Sequence, residues 1–84
     1  MAAASPVAYP HIVSDPSVHA GEPVIAGTRI PVRAVVVAWE EYGDEKTLLE
    51  AYPRLTEATL AEALAYYHAH RQEIDDSIRA QADA

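Results

Sequence analysis

The stretch GEPVIAGTRIPV, residues 21–32, decides the fold of this chain because it passes directly from strand signals to a helix signal. Gly21 and Gly27, two of the three glycines in the sequence, bracket its short apolar run. Val24–Ile25 and Thr28–Ile30 are β-prone on either side of Gly27, which accepts the positive φ of a tight connection. The pattern predicts a β-hairpin around Gly27, with the turn type left open.

Proline and glycine mark the limits of the neighbouring elements. Upstream, Ile12 and Val13 form another short β-prone segment before the turn signal Asp15-Pro16. Pro31 lacks an N–H group and has the φ of a first helical residue, so it ends strand pairing and opens a helix. That helix is predicted to end at Gly43, and its apolar stripe has helical spacing: Val32, Val35, Val36 and Trp39.

Two further helices follow. Asp44 is a suitable N-cap for a short helix that Pro53 ends, and Thr56 caps a helix without glycine or proline up to the chain end. The predicted fold is mainly α with an N-terminal β-hairpin, a three-helix, helix-turn-helix-like domain with a long C-terminal helix. Residues 1–10 are predicted to be a flexible arm, residues 11–80 the single domain, and residues 81–84 a frayed tail.

Size and composition limit how this fold is stabilised. A chain of 84 residues forms one domain near the lower limit of independent stability, and it has no cysteine for disulfides or thiolate zinc sites. We therefore expect a homodimer or a complex. The start of the sequence lacks a signal-peptide pattern, and no run reaches the roughly 18 apolar residues of a membrane helix, so a cytoplasmic protein is expected.

The charge is unevenly distributed along the chain. Residues 1–39 contain two acidic and two basic residues, whereas residues 40–84 contain eleven acidic and four basic residues and carry the whole formal charge of −7. This acidic balance repels a phosphate backbone, which argues against tight nucleic-acid binding by a monomer.

The two helices before and after Pro53 nevertheless have a helix-turn-helix outline, which three-helix bundles of any purpose share. Arg54 lies in the turn and is suited to a phosphate, with a solvated surface arginine as the alternative. Arg29 and Arg33 suit an anion or carboxylate clamp, with an ion pair to Glu22 or Asp15 as the alternative. The candidate DNA-binding residues are Arg29, Arg33, Lys46, Arg54, Thr56 and Thr59.

The last helix is predicted to be longer than a hairpin and two short helices can cover. Its apolar stripe follows heptad spacing and is expected to stay partly exposed unless another chain covers it. Fraying is the alternative for the residues after Ile78. The candidate partner-binding residues are Tyr66, Tyr67, Arg71, Ile74, Ile78 and Arg79.

The sequence gives no sign of catalysis, a metal site or a cofactor. His68 and His70 are two residues apart on a helix, so they point to different sides and do not form an i, i+4 ligand pair. No nucleophile accompanied by a base is recognisable. We predict that the protein is not an enzyme.

Residues 10–75 resemble a small prokaryotic family, domain of unknown function 433. The resemblance rests on the GEPVIAGTRIPV block and on YPRLTEATLAEALAYYHAHR, residues 52–71. Glu22 stands where many members have lysine. The shared motif residues are Gly21, Pro23, Gly27, Thr28, Arg29, Ile30, Pro31, Tyr52, Pro53, Leu55 and Thr56.

The resemblance implies a VapB-like antitoxin with a helix-turn-helix-like fold, often encoded beside a PIN-like ribonuclease toxin. It implies neutralisation of that toxin and, in complex, repression of the shared promoter. An acidic helix can compete for the toxin's RNA-binding surface, and Arg71 or Arg79 can pair with its catalytic acids. A free-standing transcriptional regulator is the alternative, and a pure dimerisation module is a third reading. In the dimer, the strands around Val24 to Ile30 are expected to pair or pack across the two chains.

Overall fold

A computed structural model describes residues 9–83 of the chain. The strands are β1 (Ile12–Ser14) and β2 (Pro23–Ile25), with one 3-10 turn at His19–Gly21 between them. The helices are α1 (Val32–Tyr42), α2 (Glu45–Ala51), α3 (Glu57–Ala69) and α4 (Arg71–Asp83). Residues 1–8 of the predicted arm and residue 84 of the predicted tail lie outside the described residues, while residues 81–83 belong to α4.

The mainly α fold with an N-terminal two-stranded antiparallel hairpin is confirmed, but its strands are paired differently from the prediction. β2 pairs with β1, with Val13 opposite Val24, instead of with residues 28–30. The turn around Gly27, which has φ +77°, retains a hydrogen bond from the Ile25 N–H to the Ile30 carbonyl at 2.9 Å and a single β-bridge. β1 supplies a longer ladder than this turn can form, so the β-prone segment around Ile12 becomes the partner strand.

The predicted helix after Pro31 is confirmed as α1. Pro31 is its N-cap, with φ −75° and ψ 155°, so helical backbone begins one residue later than expected. Gly43 ends the helix with φ +68° and donates its N–H to the Trp39 carbonyl at 2.9 Å. The buried face of α1 consists of Val32, Val35, Val36 and Ala38, and it forms the centre of the core.

The predicted long C-terminal helix is wrong, because the chain bends at His70 and forms two helices instead of one. His70 has φ −127° and ψ 41°, and its N–H is shared between the carbonyls of Tyr66 and Tyr67 at 2.9 and 3.1 Å. The bend turns α4 back onto α1 and leaves Ile74 only 2 % exposed. An unbroken helix would carry Ile74 away from the core, so its burial favours the bend. The domain therefore has four helices.

The longest helices of the described chain are short. α3 and α4 have 13 residues each, and the Cα radius of gyration is 12.6 Å. Within residues 9–83, no helix has both the length and the apolar character that crossing a bilayer requires.

Replacement of Ile74 tests the packing of α4. Ile74→Ala is expected to lower the free energy of unfolding by about 2–5 kcal/mol, because it removes methylene groups from a filled core position. Ile78→Ala, at a partly exposed position on the same helix, is the matched control and should cost clearly less. Urea unfolding measures both values. Equal, small losses would contradict the folded-back position of α4.

Candidate functional site

The helix-turn-helix outline is present as α2, the turn at residues 52–56 and α3, and its two helix starts are capped internally. Asp44 accepts hydrogen bonds from the Thr47 N–H at 2.9 Å and the Thr47 hydroxyl at 2.7 Å. Thr56 and Thr59 form a reciprocal capping box: the Thr59 N–H donates to the Thr56 hydroxyl at 3.1 Å and the Thr56 N–H to the Thr59 hydroxyl at 2.9 Å. Both threonines predicted to contact DNA thus stabilise the start of α3.

Arg54 is exposed, but its guanidinium also has a partner within the domain. Its Nη2 donates to the Gly27 carbonyl at 2.7 Å and ties the helix-turn-helix turn to the β-turn. The sequence did not reveal this acceptor, because residues 27 apart become neighbours only once α1 has packed. The described position of Arg54 therefore includes a structural role beside any contact with phosphate.

Arg33 forms the ion pair that the sequence suggested as an alternative to an anion clamp. Its Nε lies 2.8 Å from Glu22 Oε1, and the Ser77 hydroxyl donates to the same oxygen at 2.7 Å. The Glu22 carboxylate thus joins α1 and α4 to the segment that precedes β2. Sequence analysis proposed Glu22 as a partner of Arg33 but missed Ser77, which the bend at His70 brings close.

Arg29 and Lys46 are the exposed remainder of the predicted DNA-binding set. Asp15 lies near Arg29: hydrogen bonds from the Ser17 N–H and hydroxyl lower the pKa of the Asp15 carboxyl, and the Arg29 charge lowers it further. Lys46 has no ion pair within residues 9–83. Arg54 therefore lies beside the turn that precedes Arg29. Arg33, Thr56 and Thr59, in contrast, bond to groups of the domain itself.

The predicted partner-binding set is divided between core and surface. Tyr67 and Ile74 are buried within the single chain, so the expectation that both remain exposed is wrong. The Tyr67 hydroxyl donates to Asp75 Oδ1 at 2.8 Å, which raises the pKa of the phenol. The Arg71 guanidinium carbon lies 5.2 Å from the centroid of the Tyr67 ring, a cation–π contact that leaves Arg71 exposed.

Tyr66, Ile78 and Arg79 occupy intermediate or exposed positions. Tyr66 stacks on His70 with ring centroids 4.2 Å apart, and its partial burial raises the pKa of its phenol. Arg79 extends from the outer face of α4, where its Nη1 lies 2.9 Å from Asp76 Oδ1. Ile78 is half-buried at the edge of a groove between α1 and α4.

This α1–α4 groove is open to solvent and has a volume of about 430 Å³. Its floor is apolar, and charged or amide side chains stand at its margins. Its lining residues are Arg33, Ala34, Val37, Ala38, Glu41, Tyr52, Ile78 and Gln81. Sequence analysis missed this groove because it assigned the C-terminal residues to a helix that projects from the domain.

Within residues 9–83, no three histidine, aspartate or glutamate side chains are grouped as metal ligands. The close ionisable pairs join elements of the fold, as His11 and Glu62 do across 2.9 Å between Nδ1 and Oε1.

Comparisons with known proteins agree with the architecture. Residues 12–67 match the model of the family described as Protein of unknown function (DUF433). The structure is similar to the crystal structure of a DUF433 member protein from Anabaena variabilis, with 37 % sequence identity and a TM-score of 0.70. The alignment covers 82 % of this chain and 68 % of the other. No curated protein matches the chain.

Replacement of Asp44 is expected to change the pH dependence of stability. The two hydrogen bonds from Thr47 lower the pKa of the Asp44 carboxyl below its ordinary value of 3.8. The unfolded chain therefore takes up this proton at higher pH than the folded chain. The charged cap contributes fully above 3.8 and is lost as the pH falls through the lower, folded pKa.

Urea unfolding of the wild type and Asp44→Asn, from neutral pH into the acid range, measures this contribution. The difference in stability should shrink in acid. Glu50→Gln removes one negative charge from the same helix without changing a cap, and it corrects for net charge. A difference between wild type and Asp44→Asn that stays constant into strong acid would contradict the assignment.

Proposed function

This chain is a member of the DUF433 family, and we propose that it is the antitoxin of a type II toxin–antitoxin pair, neutralising a PIN-like ribonuclease by direct binding. The proposed role is binding alone, without catalysis or a cofactor, and it is exercised in the cytoplasm. The family description itself assigns no function.

One observation favours a protein target over DNA: several residues predicted to contact DNA make their contacts inside the domain instead. Thr56 and Thr59 cap α3, and Arg33 is paired with Glu22. The chain carries a formal charge of −7, so Arg29, Lys46 and Arg54 would have to act against a repulsive overall field. A basic protein surface, such as one that accepts RNA, is attracted by the same field.

The outer face of α4 is the segment best suited to that surface. Glu73, Asp76 and Arg79 are exposed there, and Arg71 is exposed at the start of the helix, where it lies over the Tyr67 ring. The carboxylates can compete with RNA phosphates for basic residues of the ribonuclease. One of the two arginines can pair with the acidic residues that hold its catalytic metal, because the guanidinium forms strong hydrogen bonds with carboxylates.

Promoter repression is a second part of the proposal and depends on the complex. The α2–turn–α3 unit has the outline of a DNA-reading motif, and Arg29, Lys46 and Arg54 are its exposed basic residues. The toxin or a second copy of the chain would have to add positive charge or a second half-site. A free-standing regulator would bind its operator alone.

Co-expression with the PIN-like ribonuclease encoded beside the gene tests the toxin-binding face. The wild-type chain should restore growth, and Arg71→Glu/Arg79→Glu should lose this effect because it reverses both exposed cations of α4. Arg29→Glu/Lys46→Glu has the same change in charge away from α4 and should still restore growth. Truncation at Tyr66 is unsuitable because it removes Tyr67 and Ile74 from the core.

The outcomes of this experiment separate the antitoxin proposal from the choice of α4 as the contact face. Circular dichroism and thermal unfolding establish that both double variants fold. Failure of the folded wild-type chain to bind the ribonuclease would overturn the antitoxin proposal, and full rescue by the α4 double variant would exclude the outer face of α4.

A mobility-shift assay on the DNA upstream of the gene tests the regulator alternative. At physiological salt the isolated protein should give no specific shift, whereas the complex with the ribonuclease should give one. Arg29→Glu/Lys46→Glu should weaken the shift by the complex, since each lost phosphate contact lowers affinity. Strong specific binding by the isolated chain would favour a free-standing regulator.

A further inference from the structure

The outward side of α1 has an exposed valine at its centre. Val37 is 43 % exposed. Val37 also lines the α1–α4 groove, next to the small side chains of Ala34 and Ala38. Ala34 and Ala38 are one helical turn apart on the same flank of Val37, and such small side chains allow another helix to approach closely. This face is therefore shaped to receive a helix.

The charges along this face are arranged symmetrically about Val37. Arg33 precedes it by four residues and Glu41 follows it by four residues, so all three lie on one side of α1. The two charged residues are separated along the helix axis by about 12 Å. An antiparallel copy of α1 crossing at Val37 would place each Arg33 opposite the Glu41 of the other chain.

We infer that the Arg33–Val37–Glu41 face of α1 is a self-complementary docking surface, and that its occupant is a second copy of this chain. A two-fold interface brings the same patch together on both subunits, so each unlike pair is formed twice. Val37 packs against its counterpart at the axis, and Ile78 and Tyr52 extend the apolar contact along the groove.

Both charged residues are available for such a contact. Arg33 uses its Nε for Glu22, which leaves the donors on its two Nη atoms, and its side chain is 18 % exposed. The bond to Glu22 fixes the guanidinium at the margin of the groove, so less conformational freedom is lost on docking. Glu41 is exposed and makes no ion pair with any residue between 9 and 83.

The strands predicted to join the two chains are partly covered by their own chain. Val24 and Ile25 are 2 % and 1 % exposed because their own chain already covers them. β2 is paired with β1 on one side and bridged to Pro31 on the other. Val24 and Ile25 therefore offer little surface for packing across a dimer, whereas residues 26–30 are partly exposed and α1 presents an exposed valine.

Sedimentation equilibrium of the full chain tests the inference independently of any toxin. The wild type should have twice the chain mass of 9.1 kDa at micromolar concentration. Glu41→Arg should raise the dimer dissociation constant roughly tenfold or more, because it sets like charges opposite each other twice. Glu50→Arg, with the same charge change at an exposed position on α2, should leave the constant nearly unchanged.

Cysteine cross-linking locates the contact, since the natural chain has no cysteine. Val37→Cys should form an interchain disulfide on addition of diamide, because the residue lies at the two-fold axis. Val13→Cys, at a position with 42 % exposure on β1, is the control and should cross-link much more slowly. Adding Glu41→Arg to Val37→Cys should slow cross-linking.

Each contrary result overturns the inference. A wild-type monomer at micromolar concentration excludes self-docking, and binding of the ribonuclease through Val37 would assign the groove to that partner. A dimer insensitive to Glu41→Arg, or equal cross-linking at positions 13 and 37, would place the interface elsewhere. The mass of the wild type, the effect of Glu41→Arg and the cross-linking pattern do not depend on whether the chain neutralises a ribonuclease, so the two proposals fail separately.

Discussion

The packing of α1 in the middle of the domain is the constraint on which the other elements depend. This helix contacts β2 and each of the other three helices. It does so with a narrow buried face of valines and one alanine, residues with short side chains that allow close approach from several directions. Without disulfides, the small domain gains its stability mainly from the apolar surface that these contacts bury. Its outer face is the part that the chain leaves uncovered.

The polar side chains mostly connect elements that the core has brought together. The Glu22 carboxylate joins the segment before β2 to α1 and α4, Arg54 joins two turns, and Glu62 of α3 holds His11. Such residues resemble binding residues in the sequence because both roles require exposed charges. The structure distinguishes them by their partners: a guanidinium already bonded to a carbonyl or carboxylate has fewer donors left for a ligand. Arg33 and Arg54 therefore act first within the domain, although Arg33 keeps the donors on its two Nη atoms at the margin of the groove.

The parts of the fold predicted from the sequence are those that local signals determine. The end of α1 at Gly43 and the caps Asp44 and Thr56 depend on backbone groups within four residues, so the sequence alone revealed them. The pairing of β1 with β2 and the burial of Ile74 depend on contacts between distant residues. The bend at His70 has no glycine or proline to mark it, and a heptad stripe is the same whether the helix continues or folds back. The structure therefore differs most from the sequence prediction at α4. The ion pair of Arg33 with Glu22 agrees with one of the alternatives that the sequence suggested.

The bend at His70 also affects how firmly the C-terminal helix is held. Only one residue separates α3 from α4, and among the described side chains of α4 a single one, Ile74, is fully buried. Regions with sparse apolar burial have low local unfolding free energies, so we expect α4 to open more readily than α1, whose buried face fills the centre of the core. Detachment breaks the Ser77 hydrogen bond to Glu22 and removes one wall of the α1–α4 groove. The protection of α4 amide hydrogens from exchange would therefore report whether a partner occupies the neighbouring face of α1.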